Sequence, residues 1–169
     1  ILTLATSLKN ISNDLLGSAS FVEMLMHSDF AQGLSNFLPA VIFVVACLLA
    51  FATGTSWGTF GILIPIVSNM FGVEDPLLYI GMSACLAGAV CGDHCSPISD
   101  TTIMSSAGAQ CAHVVHVSTQ LPYAVSVAAV SFVCFLLAGF LQNAVICLAV
   151  GVVLILGFLA WMKRRPARA

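Results

Sequence analysis

Two carboxylates flank a proline in a stretch of small and hydroxylated residues at positions 92–102. Pro97 lies between Asp93 and Asp100, lacks a backbone N–H and clashes with the preceding turn, so a continuous helix through this stretch is not expected. The freed carbonyls, the carboxylates and the hydroxyls are hard oxygen ligands, which suit an alkali or alkaline-earth cation rather than a soft metal. The hydroxyls are those of Ser96, Ser99, Thr101 and Thr102.

A carboxylate removed from water can hold either a proton or a cation. Burial favours its protonated form, and a second carboxylate nearby favours that form further. A charged group at the centre of a bilayer is costly and is by default functional. The simplest function of such a pair is therefore the exchange of protons for cations across a membrane. The alternative is that Asp93 or Asp100 caps the half-helix that follows the break, as Asp commonly does.

A second polar break interrupts an apolar stretch at residues 53–59, which read Thr-Gly-Thr-Ser-Trp-Gly-Thr. Transporters often build sites at the membrane midplane from broken helices, using half-helix ends and unwound carbonyls. The alternative is a glycine hinge whose hydroxyls bond back to carbonyls four residues earlier. Because a second broken helix in the chain carries carboxylates, we favour the interpretation that the hydroxyls of residues 53–59 are ion ligands. The hydroxyls of this break are those of Thr53, Thr55, Ser56 and Thr59.

Three weaker signals complete the candidates. Asn13 and Asp14 offer additional ligand oxygens beside Lys9, although an ordinary interfacial cluster explains them equally. His113 and His116 are candidates for pH sensing because histidine titrates near neutral pH, with two interfacial histidines as the alternative. The seven cysteines are odd in number and irregularly spaced, so the sequence predicts neither a disulfide framework nor a transition-metal site.

The composition determines which elements can position these residues. The 169-residue chain is 60% hydrophobic and only 7% charged, whereas a soluble domain carries about 25% charged residues. A formal net charge of −2 provides no basic face for nucleic acid. Soluble, disordered and nucleic-acid-binding classes are therefore excluded, and the sequence predicts an all-α, polytopic transmembrane helical bundle with broken or re-entrant helices.

The apolar pattern predicts about five to six membrane segments, two of them broken. Lys163, Arg164, Arg165 and Arg168 follow the last segment, so the positive-inside rule places the C-terminus in the cytoplasm. Residues 110–120 are predicted to be amphipathic or a loop. The predicted helices cover two halves within 1–26, then 37–52, 60–71, 77–91, 101–109, 121–141 and 144–162.

Two long motifs resemble a known family. Residues 92–106 (Gly-Asp-His-Cys-Ser-Pro-Ile-Ser-Asp-Thr-Thr-Ile-Met-Ser-Ser) closely resemble the signature of the NhaC-type sodium/proton antiporters. Residues 52–66 (Ala-Thr-Gly-Thr-Ser-Trp-Gly-Thr-Phe-Gly-Ile-Leu-Ile-Pro-Ile) are similar to the other hallmark of that family. The resemblance implies a secondary transporter of the ion-transporter superfamily, built from inverted repeats. The ion-site candidates carried over are Asp93, Ser96, Ser99, Asp100, Thr101, Thr55, Ser56 and Thr59.

Family proteins are much longer, so residues 1–169 are expected to form a partial transmembrane transporter domain, the C-terminal part of a longer antiporter. The predicted function is Na⁺/H⁺ exchange by alternating access in a bacterial inner membrane, with no enzymatic activity and no cofactor beyond the transported ions. The expected partners are Na⁺, H⁺, the lipid bilayer and the missing N-terminal half of the same protein, with a homodimer left open. The alternative is Na⁺- or H⁺-coupled transport or exchange of small carboxylates (malate/lactate type) or amino acids; a distant alternative is an intramembrane aspartyl hydrolase.

Overall fold

The computed structural model describes residues 34–71 and 74–164, together with Ser7. All regular structure in these residues is helical, which confirms the all-α prediction. The break predicted near Asn13 and Asp14 lies outside the described residues. A 3₁₀ turn at Ser35–Phe37 precedes α1 (Leu38–Thr53), α2 (Ser56–Met70), α3 (Pro76–Cys95), α4 (Asp100–Gly108), α5 (His113–Leu141) and α6 (Ala144–Arg164).

Helix length separates full membrane spans from half-helices. Four helical segments are long and apolar enough to cross a bilayer: Ser35–Thr53, Pro76–Cys95, His113–Leu141 and Ala144–Lys163. With 15 and 9 residues, α2 and α4 extend about 22 and 14 Å, short of the ~30 Å of a hydrocarbon core. The chain is therefore a multi-pass membrane protein in which two spans are each followed by a half-helix.

Small residues bring α1 and α3 into close contact at the centre of the bundle. Along α1, buried Phe43, Ala46 and Ala50 follow helical spacing. They face Gly88 and Gly92 of α3, where a Cβ would overlap the carbonyl oxygens of the opposite backbone. Without a hydrophobic driving force between helices in lipid, such close packing is a main source of helix association. This contact fixes the end of α3 against α1.

The first break follows from a glycine and a threonine. Gly54 has φ of +67°, a left-handed conformation that glycine adopts without steric cost, and its N–H donates to the Ala50 carbonyl at 2.8 Å. Thr55 is extended, and its side chain accepts a hydrogen bond from the Gly58 N–H at 3.4 Å, which caps α2. The predicted arrangement of helix, polar break and helix is confirmed here.

The second break falls four residues later than the sequence suggested. The predicted helix over 77–91 extends to Cys95, so Asp93 lies within the last turn of α3. Proline disfavours the helical conformation in the residue before it, and Ser96 is accordingly extended with ψ of 128°. Pro97, rather than Gly92, therefore ends the helix. Ser99 is the extended residue from which α4 begins.

Residues 110–120 differ from their predicted loop. Gln110 has a positive φ of 52°, but from His113 the chain is helical without interruption to Leu141. Pro122 lies inside this helix. Proline removes one backbone donor, and in membrane helices neighbouring groups re-satisfy the freed carbonyl, so the helix continues through it. The segment after α4 is thus the first part of a long span.

The glycine contact between α1 and α3 predicts the effect of one substitution. Gly92→Ala would place a methyl group on the Cys47 carbonyl oxygen, so the two helices must separate. We expect a loss of about 1–3 kcal/mol in unfolding free energy, measured by thermal unfolding of the detergent-solubilised full-length protein. Gly157→Ala in α6 is the control, because nothing lies within 4 Å of the added atom. Equal stability of the two variants would contradict the close contact.

Candidate cation and proton site

Asp93 is a buried carboxylate that forms no ion pair with any residue the structure describes. It lies in the last turn of α3 with 3% of its surface exposed. The Ser99 hydroxyl donates to Asp93 Oδ1 at 2.6 Å, and among the described residues no other hydrogen bond reaches the carboxylate. An ionised carboxylate in such a place is costly unless a proton or a cation neutralises it. The capping alternative does not apply to Asp93, because it lies inside a helix.

A chain of hydroxyls leads from this carboxylate toward the surface. Ser99 Oγ lies 2.7 Å from Thr101 Oγ1. Because Ser99 has one hydroxyl proton and donates it to Asp93, Thr101 must be the donor in the second bond. Ser99 is fully buried, whereas Thr101 is exposed. Each hydroxyl can both donate and accept, so a proton that water gives to the exposed Thr101 hydroxyl could pass through Ser99 to Asp93, with each hydroxyl giving up one proton as it receives another.

Asp100 occupies a different environment from Asp93. It is exposed at the start of α4, and its Oδ1 accepts a hydrogen bond from the Thr101 N–H at 2.8 Å. A negative charge in the first turn of a helix is favourable, although the N-cap position of α4 is Ser99 rather than Asp100. The two acids therefore do not form the buried pair that the sequence suggested: one lies in the interior and the other on the surface.

The two breaks lie against each other. A Cβ at Gly54 would lie 2.8 Å from Ile98 Cγ1 and 3.0 Å from the Ile98 carbonyl oxygen. Gly54 belongs to the break between α1 and α2, and Ile98 to the break between α3 and α4. The two polar breaks therefore contact each other at Gly54 and Ile98, with glycine required by both its positive φ and this contact.

The hydroxyls of the first break bond mainly to nearby backbone. Thr59 is fully buried and donates to the Thr55 carbonyl at 2.9 Å, while Thr53 donates to the Leu49 carbonyl at 2.9 Å. Both bonds run back four residues, as the hinge alternative expected. Their oxygen lone pairs remain available as acceptors. Thr55 and Ser56 are half-buried at the start of α2.

Ser96 and Thr102 also lie in the interior of the second break, with 0% and 3% of their surface exposed. Ser96 Oγ accepts a long bond of 3.4 Å from the Ile98 N–H. The break therefore places three buried hydroxyl-bearing residues, Ser96, Ser99 and Thr102, near the end of α3. The Thr102 hydroxyl was among the oxygens noted in the motif, but Thr102 was not among the ion-site candidates carried over from the family resemblance.

The two histidine candidates have different contacts. His113 Nε2 lies 2.6 Å from the Pro97 carbonyl oxygen, and its Nδ1 lies 3.1 Å from the Ser106 hydroxyl. His116 is half-buried with no recorded side-chain hydrogen bond. Gln120, which the sequence analysis did not select, donates to the His94 carbonyl at 3.1 Å. Twenty-six residues separate that pair, so no local pattern could have indicated the contact.

The described cysteines are all free thiols. In the part of the chain that the structure describes, no three His, Cys, Asp or Glu side chains are grouped so as to hold a metal ion. The chemistry available around Asp93 is therefore that of oxygen ligands and exchangeable protons.

A model of the Na⁺/H⁺ antiporter family matches residues 1–140. The chain belongs to this family. Its members are transporters, so the chain is not an enzyme, and the interpretation as an aspartyl hydrolase is wrong. No solved structure is significantly similar to the chain.

Three relatives show how the family varies. An uncharacterised protein of Haemophilus influenzae is 48% identical over 131 residues, which cover 77% of this chain and 25% of the relative. A malate-2H⁺/Na⁺-lactate antiporter of Bacillus subtilis is 32% identical over 112 residues, 64% of this chain and 23% of the relative. The arginine/ornithine antiporter ArcD of Halobacterium salinarum is 32% identical over 118 residues, 66% and 24% respectively. The chain thus spans about a quarter of the length of these relatives.

The contact between the two breaks is testable by a double-mutant cycle. Gly54→Ala alone forces alanine into a left-handed backbone conformation and brings its Cβ into a clash with Ile98 Cγ1. Ile98→Ala removes that atom, so we expect the double variant to be about 0.5–1 kcal/mol more stable than the sum of the single losses predicts. Thermal unfolding of the full-length antiporter in detergent provides the measurement.

The control cycle pairs Gly54→Ala with Ile146→Ala, an exposed position in α6. We expect these two effects to add, since distant sites are independent. Additivity in the first cycle as well would contradict the contact between the breaks.

Proposed function

We propose that this chain is part of an NhaC-type antiporter that exchanges Na⁺ for H⁺ by alternating access, with Asp93 binding the two ions in turn. The observation that carries the proposal is the burial of Asp93 beside a single hydroxyl. A proton neutralises this acid in one state and Na⁺ neutralises it in the other. Because both compensate the same charge, binding of one displaces the other.

The surrounding oxygens suit a small alkali cation. Na⁺ would be held by Asp93, by the hydroxyls of Ser99 and Thr101, and by the freed carbonyls of the break, with Ser96 and the hydroxyls of Thr55, Ser56 and Thr59 as further ligands. The hydroxyl chain from Thr101 to Asp93 supplies a route for the proton. Asp100, exposed beside Thr101, would attract cations to the entrance of this route.

The orientation of the protein in the membrane follows from the positive charges at the end of its last span. Lys163 is the last residue of the final span and the arginines follow it, so we propose a cytoplasmic C-terminus in a bacterial inner membrane. In this orientation the start of α5, one crossing earlier than α6, also lies on the cytoplasmic side. The Asp93 site would then be reached from the cytoplasm through the α3–α4 break.

We expect substitutions of Asp93 and Asp100 to have different effects on Na⁺-driven proton flux. Asp93→Asn removes the charge that both ions neutralise, so Na⁺-driven proton flux is expected to fall to background. Asp100→Asn, the matched control, is expected to keep at least about a fifth of the wild-type rate, since exposed charges contribute about 1 kcal/mol or less. The measurement is dye-monitored proton flux in everted vesicles of the full-length protein after Na⁺, K⁺ or Li⁺ pulses. Full activity of Asp93→Asn would overturn the site assignment.

The relatives favour a second candidate function, the coupled exchange of organic ions. Two of them are named as antiporters of malate and lactate or of arginine and ornithine. No Lys or Arg lies in the described parts of α1–α5. A binding site for an organic anion would therefore use the N-termini of half-helices or residues in the remainder of the protein. In this function Asp93 would still bind the coupling ion.

Counterflow distinguishes the two functions. Proteoliposomes of the full-length protein, preloaded with malate, lactate, arginine or ornithine, are tested for uptake of the labelled compound. Accumulation that Asp93→Asn abolishes would assign organic exchange. Proton flux driven by Na⁺ alone, without any counterflow, is the result expected for Na⁺/H⁺ exchange.

A further inference from the structure

A groove of about 800 Å³ lies between α3 and α5, beside the turn that carries Asp93. Its lining residues on α3 follow helical spacing from Ser83 to His94, and those on α5 do so from Gln120 to Ser131. Each helix therefore presents one face to the groove. This face of α3 differs from the buried face that packs against α1, because its residues are exposed or half-buried.

The shape of the groove matches a helix. Gln120 donates to the His94 carbonyl at one end of the groove. From that contact α3 lines the groove over the 11 preceding residues and α5 over the 11 following ones, so the two helices run antiparallel. The groove is thus about 17 Å long, or three helical turns. Ser83, Ala87 and Cys91 lie along it at intervals of four residues, and small residues at this spacing allow another helix to approach closely.

The chemistry of the lining differs from that of a surface in contact with lipid. Residues 144–162 of α6, whose large side chains are mostly exposed, contain no hydroxyl, carboxamide or imidazole group. Such groups are typical of the contacts between packed membrane helices. The contrast favours protein over acyl chains as the neighbour of the groove. The lining side chains with these groups are Ser83, His94, Gln120, Tyr123 and Ser131.

Ser131 provides a second reason to expect protein in the groove. It lies 10 residues before the end of α5, or about 15 Å, which is near the middle of a hydrocarbon core of ~30 Å. Its hydroxyl forms no hydrogen bond with the part of the chain that the structure describes. A hydroxyl without a partner in an apolar medium is costly. A polar group on an adjacent helix would remove that cost, whereas an acyl chain would not.

The comparison with relatives indicates where such a helix could come from. The chain spans about a quarter of their length, so in a full-length protein of that size most of the polypeptide lies outside residues 1–169. Covalent linkage gives this remainder a high effective concentration at the groove, which a second copy or another protein does not have. The groove has no Asp, Glu, Lys or Arg in its lining, so its occupant needs no charged face.

We propose that the groove between α3 and α5 binds an apolar membrane helix from the part of the full-length protein outside residues 1–169, and that this helix provides a hydrogen-bond partner for Ser131. The helix packs against the turn of α3 that carries Asp93, because His94 of the lining directly follows that residue. This inference concerns the assembly of the antiporter and does not depend on which ions it exchanges.

Photo-crosslinking of the full-length protein in its membrane tests the proposal. Tyr123→p-benzoylphenylalanine places a photoreactive aromatic group at a position in the groove that is 63% exposed. After irradiation, mass spectrometry of the digested protein identifies what is joined to position 123. We expect a crosslink within one polypeptide, to a peptide from outside residues 1–169. Leu148→p-benzoylphenylalanine in α6, where the side chain is 70% exposed, is the control and is expected to give lipid adducts.

A second matched pair keeps the test decisive if the substitution at Tyr123 prevents folding. Val127 lies in the groove one turn further along α5, and Val153 is an exposed valine of α6. The same photoreactive residue at Val127 is expected to join the same remote segment, and at Val153 to join lipid. At the groove positions, lipid adducts alone, a crosslinked dimer of twice the mass, or a crosslink to a peptide within residues 1–169 would overturn the proposal.

Discussion

The structure around the second break depends on one electrostatic constraint: a carboxylate in an apolar bundle must be neutralised. Asp93 is buried at the end of α3, and its recorded polar partner in the described chain is a neutral hydroxyl. A fixed counter-ion would make the acid purely structural. We propose that a proton or a cation from solution supplies the compensating charge, in which case occupancy of the site depends on both concentrations.

The remaining features serve to hold that acid where solution ions can still reach it. Glycines in α3 allow α1 to approach until the backbones touch, which fixes the end of the helix. Pro97 then ends the helix and frees carbonyls, while Gly54 provides space for the break to pack against its counterpart. Irregular backbone at membrane depth is tolerated where it is buried in protein or lines a wet cavity. Two breaks that pack together satisfy the first condition, and the hydroxyl chain to Thr101 provides the access.

Much of this architecture could be predicted from the sequence because its causes are local. Apolar runs, Pro97 and the Gly54–Thr55 pair predicted spans and breaks that are present. The predictions failed where the cause was not local. The proline rule is local and accounts for the extended Ser96, but the burial of Asp93 and the exposure of Asp100 depend on how the helices pack. The sequence also could not show that His113 reaches Pro97, because that contact depends on how α5 packs against the break.

The shared occupancy of Asp93 is tested most directly by infrared difference spectroscopy on the purified full-length protein. Na⁺ is added at a pH at which the site is protonated, with K⁺ as the reference. If the two ions compete for one carboxylate, Na⁺ removes the C=O band of a protonated acid in the wild type, and Asp93→Asn lacks this change. Sodium binding that leaves the band intact, or a loss of the band that persists in Asp93→Asn, would contradict competition at this residue.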